Sequence, residues 1–197
     1  MKILFVSSEC APFSKSGGLA DVAFSLPPAL QKTGDDMAIV TPMYRVTQEN
    51  YGDEFERIKT CQIVLGQRRL ACSLYRGALN GVTVYAIGNE HLFHRPRLYG
   101  YGDDSLRFAF FCRAVIDLLP EFGDLPDILH CNDWETALAI LYLKNDAVLR
   151  PELSHIKTVY TIHNIAYQGQ FGRSEMEATF ALPDGWYHGG LSYEFEG

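Results

Sequence analysis

At 197 residues, with 47% hydrophobic and 21% charged side chains, the chain has the make-up of an α/β domain large enough to bury a proper core. A formal net charge of −7 argues against nucleic acid or an anionic membrane as a main partner, so any phosphate site must be a local positive spot on an acidic protein. No apolar run approaches a membrane span, the start is too short for a signal-peptide core, and five scattered cysteines without a CxxC pair suit reduced thiols, which together predict a cytoplasmic protein.

Ile3-Leu4-Phe5-Val6 reads as a strand. It leads into Lys15-Ser16-Gly17-Gly18-Leu19-Ala20-Asp21-Val22, a loop with one cation and paired glycines, followed by a helix with an acid in its first turn. N–H groups at a helix start point outward unpaired, the helix dipole favours negative charge there, and glycine lets an anion approach the main chain. That order predicts a site for a phosphorylated ligand, with Lys15 as a mobile charge beside it. Gly17-Gly18 as a tight turn and nothing more is the alternative. The run fits neither the Walker pattern GxxxxGK[ST] nor the dinucleotide fingerprint GxGxxG.

The helix is predicted over about 19–31, with a kink or early break at Pro27-Pro28. Ala38-Ile39-Val40 reads as a second parallel strand closed by Pro42. Between 55 and 87, β-rich runs at 63–65, 70–75 and 82–87 are separated by Gly66-Gln67 and Asn80-Gly81. Asn-Gly between apolar runs is a strong hairpin signal, so antiparallel strands are expected to extend the parallel sheet. In the loop 97–102, Tyr99 either stacks on a sugar ring or packs against the sheet edge.

Asp103 or Asp104 is expected to cap the next helix, in which Phe108, Phe111, Cys112, Val115, Ile116 and Leu119 fall at helical spacing. Asp127-Ile128-Leu129-His130 reads as a buried strand, and Asn132 or Asp133 as the cap of the helix carrying Ala137, Ile140 and Leu141. Val159-Tyr160-Thr161-Ile162 is the last strand, ending at His163-Asn164. The tail, 170–197, mixes a short helical patch with loop. This alternation predicts a Rossmann-like, doubly wound, mostly parallel α/β sheet with an antiparallel hairpin extension, as a single domain over 1–197.

In an open parallel sheet, ligands bind beyond the carboxyl ends of the strands. The segments there are 9–21, 130–134 and 163–168, so Lys15, Asp21, Asp133 and His163 are expected on one rim. Each also has a plainer reading. Asp133 can be a helix cap, Asp21 a complement to the dipole, and His130 and His163 structural hydrogen-bonders. His130, Asp133 and His163 lack metal-ligand spacing, and neither a metal nor a cofactor is expected.

The octapeptide 15–22 resembles the KxGGLxD signature of bacterial glycogen synthases and plant starch synthases. Ser8-Glu9-Cys10-Ala11-Pro12-Phe13 is similar to that family's SSExxPF start, and Leu106-Arg107-Phe108-Ala109-Phe110-Phe111 to its RFAFF helix. Asn132-Asp133-Trp134 resembles its HDW element with Asn in place of His, and 161–169 its TxHNxxYQG segment. The resemblance implies the N-terminal half of a two-domain GT-B glucosyltransferase. Such an enzyme moves glucose from ADP-glucose or UDP-glucose to the non-reducing end of an α-1,4-glucan with retention.

The resemblance also implies roles. Lys15 and the Gly17-Gly18 backbone would contact the donor's phosphates, and Asp21 and Asp133 would position sugar hydroxyls. The His163 carbonyl and imidazole would help stabilise oxocarbenium-like charge, with no protein nucleophile assigned. Tyr99 aligns loosely with a tyrosine near the donor glucose, and Glu9, Asn164 and Tyr167 are substrate-binding candidates within the matched segments. Leu191-Ser192-Tyr193-Glu194-Phe195-Glu196-Gly197 resembles the GLEF(N/Y)G segment, beyond which the family has a nucleotide-binding domain. The 197 residues are therefore expected to be inert alone. The rival readings are another retaining nucleotide-sugar transferase and a stand-alone sugar- or nucleotide-binding module.

Overall fold

A computed structural model describes residues 1–186. In chain order the principal elements are β1 (Lys2–Val6), α1 (Gly18–Lys32), β2 (Asp36–Pro42), α2 (Arg45–Tyr51), β3 (Glu56–Leu65), β4 (Arg68–Leu79), β5 (Val82–Gly88) and α3 (Glu90–Phe93). They continue with α4 (Asp104–Asp117), β6 (Ile128–Asn132), α5 (Trp134–Asp146), β7 (Lys157–Thr161) and α6 (Arg173–Thr179). One seven-stranded sheet runs in the order β3-β4-β5-β2-β1-β6-β7. The five strands from β5 to β7 are parallel, and β3, β4 and β5 pair antiparallel. The expected doubly wound sheet with a hairpin extension is the observed one.

Side chains alternate across the sheet with period two. Leu4 and Val6 of β1, with Val40, Ile87, Leu129 and Cys131, meet Phe108, Phe111, Val115 and Ile116 of α4 and Tyr142 and Leu143 of α5. Ile3 and Phe5 point the other way, with Met37, Ile39, Val82, Val84 and Ala86, onto the Ala23 face of α1. Each such side chain contributes about 1.5–3 kcal/mol when fully buried, so these two layers, and not surface ion pairs, hold the strand ends in place. The predicted hairpin turn is present: Asn80 and Gly81 both take positive φ, at 50° and 86°, as a two-residue turn between paired Leu79 and Val82 requires.

Three local expectations fail. α1 runs unbroken through Pro27 and Pro28. The prolines deprive the Ala23 and Phe24 carbonyls of donors, but both rings are buried and the helix is held by its packing on the sheet. Neither Asp103 nor Asp104 caps α4 with its side chain. Asp103 instead makes a bidentate pair with Arg95 at 2.6 and 2.7 Å. Asp104 accepts from the N–H groups of Gly100 and Tyr101, at 2.8 and 3.2 Å, and from the Arg107 guanidinium. Finally, β3 and β4 are longer than their apolar runs, because one face of the hairpin is exposed and carries polar residues. The 191–197 motif lies outside the described residues.

Candidate functional site

The site begins where β1 ends. The chain turns after Val6, and the Glu9 carboxylate comes to lie buried beneath the loop that follows. It accepts from the Ser16 hydroxyl at 2.7 Å, from the Gly17 N–H at 3.1 Å and from the Ser16 N–H. The Tyr99 hydroxyl lies 2.9 Å from Glu9 Oε1 and 3.0 Å from Ser8 Oγ. Its single proton goes to the carboxylate, leaving Ser8 to donate to it. Glu9 thus fills part of the anion cradle that the glycine loop was expected to offer. What stays available for an external anion is the start of α1 at Gly18 and the Lys15 ammonium.

Lys15 and Asp21 pair at 2.6 Å with both side chains more than half exposed, a contact worth about 0–1 kcal/mol and easily exchanged for a ligand. Gly17 has φ −143° and Gly18 is helical, so neither position demands glycine for its backbone angle. A Cβ at either would meet nothing within 4 Å. Neither glycine is required by its backbone angle or by a close neighbour, and the two leave open space over the helix start.

The second half is built where β6 and β7 end. Asp133 takes φ 57° and ψ 175°, a conformation that costs a residue with a side chain about 1–3 kcal/mol and persists only where its surroundings enforce it. Its N–H donates to the Thr161 carbonyl at 2.9 Å. Its Oδ1 accepts from the main-chain N–H of His163 at 2.7 Å and of Asn164 at 3.3 Å. The cap reading fails here too, since this carboxylate serves the neighbouring strand end and not the first turn of α5.

Asn132, fully buried, bonds the His163 ring at 2.9 Å and donates to the Val6 carbonyl at 3.0 Å. That last bond ties the β6 end to the β1 end. His130 bonds Thr161 Oγ1 at 2.8 Å and meets the Phe5 ring edge-on, and burial, with His163 nearby, holds its imidazole below the ordinary value. Both histidine rings are thus hydrogen-bonded within the fold. His163 itself is exposed.

Beneath both halves runs a chain of rings, Tyr99 to Phe108 at 5.8 Å and Phe108 to Trp134 at 5.1 Å. A Cβ on Gly169 (φ 61°) would come within 2.4 Å of the Trp134 ring, so the 163–169 loop lies directly on that indole and only glycine fits there. Glu9, Lys15, Gly17, Gly18, Asp21 and Tyr99 thus form one group, and Asn132, Asp133, His163 and Asn164 the other, on adjacent strands. Asn164 Oδ1 is occupied by the Ala166 N–H, and Tyr167, exposed on the loop, is tied to the second group through its main-chain N–H, which donates to the Asn164 carbonyl at 3.2 Å. Among the described residues no three His, Cys, Asp or Glu gather as a metal site. An apolar cavity of about 510 Å³ between α5 and 168–180, lined by Trp134, Leu138, Leu141, Tyr160 and Phe171 among others, holds none of the predicted site residues.

Glu135 escaped the sequence reading, because an acid in the first turn of a helix ordinarily complements the dipole. It is buried, its Oε2 has no partner among the described residues, and burial, with Asp133, Glu9 and Asp104 adding to it, pushes the carboxyl up to about 8. The folded chain then holds a proton that the unfolded chain releases near the ordinary 4.5. Stability is therefore full below that value and is lost as pH rises toward 8. Glu135→Gln, neutral throughout, is expected to match the parent near about pH 5 and to exceed it near about pH 9 in denaturation midpoint. Parallel pH profiles for the two proteins would refute a buried, protonated Glu135.

A family model described as the starch synthase catalytic domain matches residues 2–197. The glycogen synthase of Geobacillus thermodenitrificans is 42% identical over 199 residues, covering 100% of this chain and 40% of the relative. That of Clostridium novyi is 42% identical over 174 residues, covering 88% of this chain and 36% of the relative. Among solved structures, the catalytic domain of starch synthase IV from Arabidopsis thaliana, bound to ADP and acarbose, superposes with TM-score 0.80 at 30% identity, covering 92% of this chain and 37% of that one. The chain spans about 40% of the length of the curated relatives it matches.

Proposed function

The chain belongs to the starch synthase catalytic domain family, and from that premise we propose that it forms one wall of a glycosyltransferase cleft. The reaction is transfer of glucose from ADP-glucose, or less favourably UDP-glucose, to the non-reducing end of an α-1,4-glucan with retention. ADP-glucose is preferred because the motifs resemble the bacterial and plant branch. The remaining length of the relatives supplies the facing wall and the nucleotide pocket. The five cysteines, none of them bridged, suit a cytoplasmic enzyme.

One observation carries the reading. Asp133, in a strained conformation, clamps the His163–Asn164 backbone with its carboxylate, at the rim where the Lys15–Gly18 loop leaves open space. Strain of this kind gathers at sites where geometry must be kept. On donor binding, Lys15 leaves Asp21 for the diphosphate and offsets the charge that grows on the departing nucleotide. Asp21 is then free to accept a sugar hydroxyl. The His163 carbonyl and ring face the transferred glucose, where positive charge develops in the transition state.

A full-length synthase carrying this chain is expected to extend maltooligosaccharides from ADP-glucose, whereas the 197 residues alone transfer none. In the full-length enzyme Lys15→Ala is expected to lower kcat/KM for the donor about 10–100-fold, the value of one charged hydrogen bond. Steady-state kinetics with retained anomeric configuration read by NMR test this. Glucan elongation by the isolated chain, or unchanged donor use in Lys15→Ala, refutes it.

A further inference from the structure

Asn132 occupies the place of a histidine in the family's HDW element, and its surroundings give that difference a chemical meaning. The residue closes β6 and is completely buried. Its Nδ2 lies 3.0 Å from the Val6 carbonyl oxygen and 3.3 Å from that of His130. Both oxygens can only accept, so the amide nitrogen must face them. Turning the amide over would set Oδ1 against two carbonyl oxygens at hydrogen-bond distance with no proton between them. The orientation is therefore fixed, and Oδ1 is aimed at Nε2 of His163, 2.9 Å away.

An amide oxygen can only accept, so that ring nitrogen must carry a proton. We infer that Asn132 is a positioning residue that locks His163 as the Nε2–H tautomer and leaves Nδ1 as the ring's hydrogen-bond acceptor. Asp133 fixes the backbone of the same histidine through its N–H. Two consecutive residues thus hold one imidazole, the first by its edge and the second by its main chain. A histidine at position 132 cannot impose this polarity, because each imidazole nitrogen donates or accepts according to its own tautomer.

Val6 and His130 act here only through carbonyls, and they anchor the amide to β1 and to β6 itself. The His130 ring is engaged with Thr161 and does not compete for the Asn132 oxygen. That a sugar hydroxyl donates to Nδ1 rests on the proposed function; the tautomer does not.

The test is long-range proton–nitrogen NMR on the 197-residue chain with nitrogen-15-labelled histidine, at a pH where the ring is neutral. His163 is expected to show a protonated Nε2 and a bare Nδ1, with the Nε2–H resonance visible in water. In Asn132→His, a residue the family accommodates, both tautomers are expected and solvent exchange of that proton is expected to be about tenfold faster. Asn132→Ala, if it folds, gives the same loss. A bare Nε2 in the parent, or an unchanged tautomer and exchange rate in Asn132→His, overturns the inference. ADP-glucose added to the labelled full-length enzyme separates the two claims. A locked tautomer whose Nδ1 signal does not respond removes the sugar-facing role of His163 and leaves the role of Asn132 intact.

Discussion

Asp133→Ala in a full-length synthase is expected to lower kcat about 10²–10³-fold. The side chain accepts two main-chain N–H groups from the segment that carries His163, and hydrogen bonds to a charged group are worth about 1.5–3 kcal/mol each. Alanine loses both bonds yet keeps the unfavourable φ of 57°. Two companion substitutions separate the causes. Asp133→Asn keeps an oxygen for the clamp and adds no backbone strain to what aspartate already bears, so it is expected to retain most of the structure and to lose about tenfold in kcat. Asp133→Gly removes the clamp and relieves the strain, so it is expected to be as slow as alanine but about 1 kcal/mol more stable. Wild-type turnover in Asp133→Ala would reduce the clamp to scaffolding.

Arg107→Ala is expected to be strongly destabilising, at about 3–5 kcal/mol. The guanidinium is wholly buried, donates to the Leu92 carbonyl at 2.6 Å, pairs with Asp104, and lies 4.9 Å over the Tyr101 ring. Truncation leaves Asp104 charged and buried without its partner. It also unsettles the loop whose Gly100 and Tyr101 N–H groups Asp104 holds. At about 2–4 °C per kcal/mol for a chain of this size, the melting temperature is expected to fall by about 6–20 °C. Asp104→Ala placed on top is expected to cost much less than it does alone, because the pair acts as a unit. Strictly additive losses in thermal melts of the single and double variants would contradict that coupling. The arginine in the RFAFF run is thus explained by packing and charge beneath the Tyr99 loop.

The parallel strands and the hairpin were legible in the sequence because short apolar runs and Asn80-Gly81 report directly on burial and turn geometry. That the chain leaves β1, β6 and β7 on one edge of the sheet was legible from topology, because the three strands are parallel. Side-chain partners were not. Asp103, Asp104 and Asp133 each precede or open a helix, and local sequence offers a cap as their simplest use. Their actual partners are Arg95, the loop amides at 100–101, and a strand end 30 residues away. Glu9 was visible as part of a motif, but its occupation of the Ser16 and Gly17 amides depends on a turn that no periodicity encodes. Pro27 and Pro28 misled because their effect on backbone bonding is local whereas the packing that overrides it is tertiary.

The contact between Gly169 and Trp134 gives the molecule a built-in optical reporter. The indole is one of only two in the sequence, and it is roofed by the very segment that presents His163. Any lifting or settling of that roof would change the polarity felt by the fluorophore, so a rearrangement of the His163 segment can be sought in the emission of the unmodified chain without an added label.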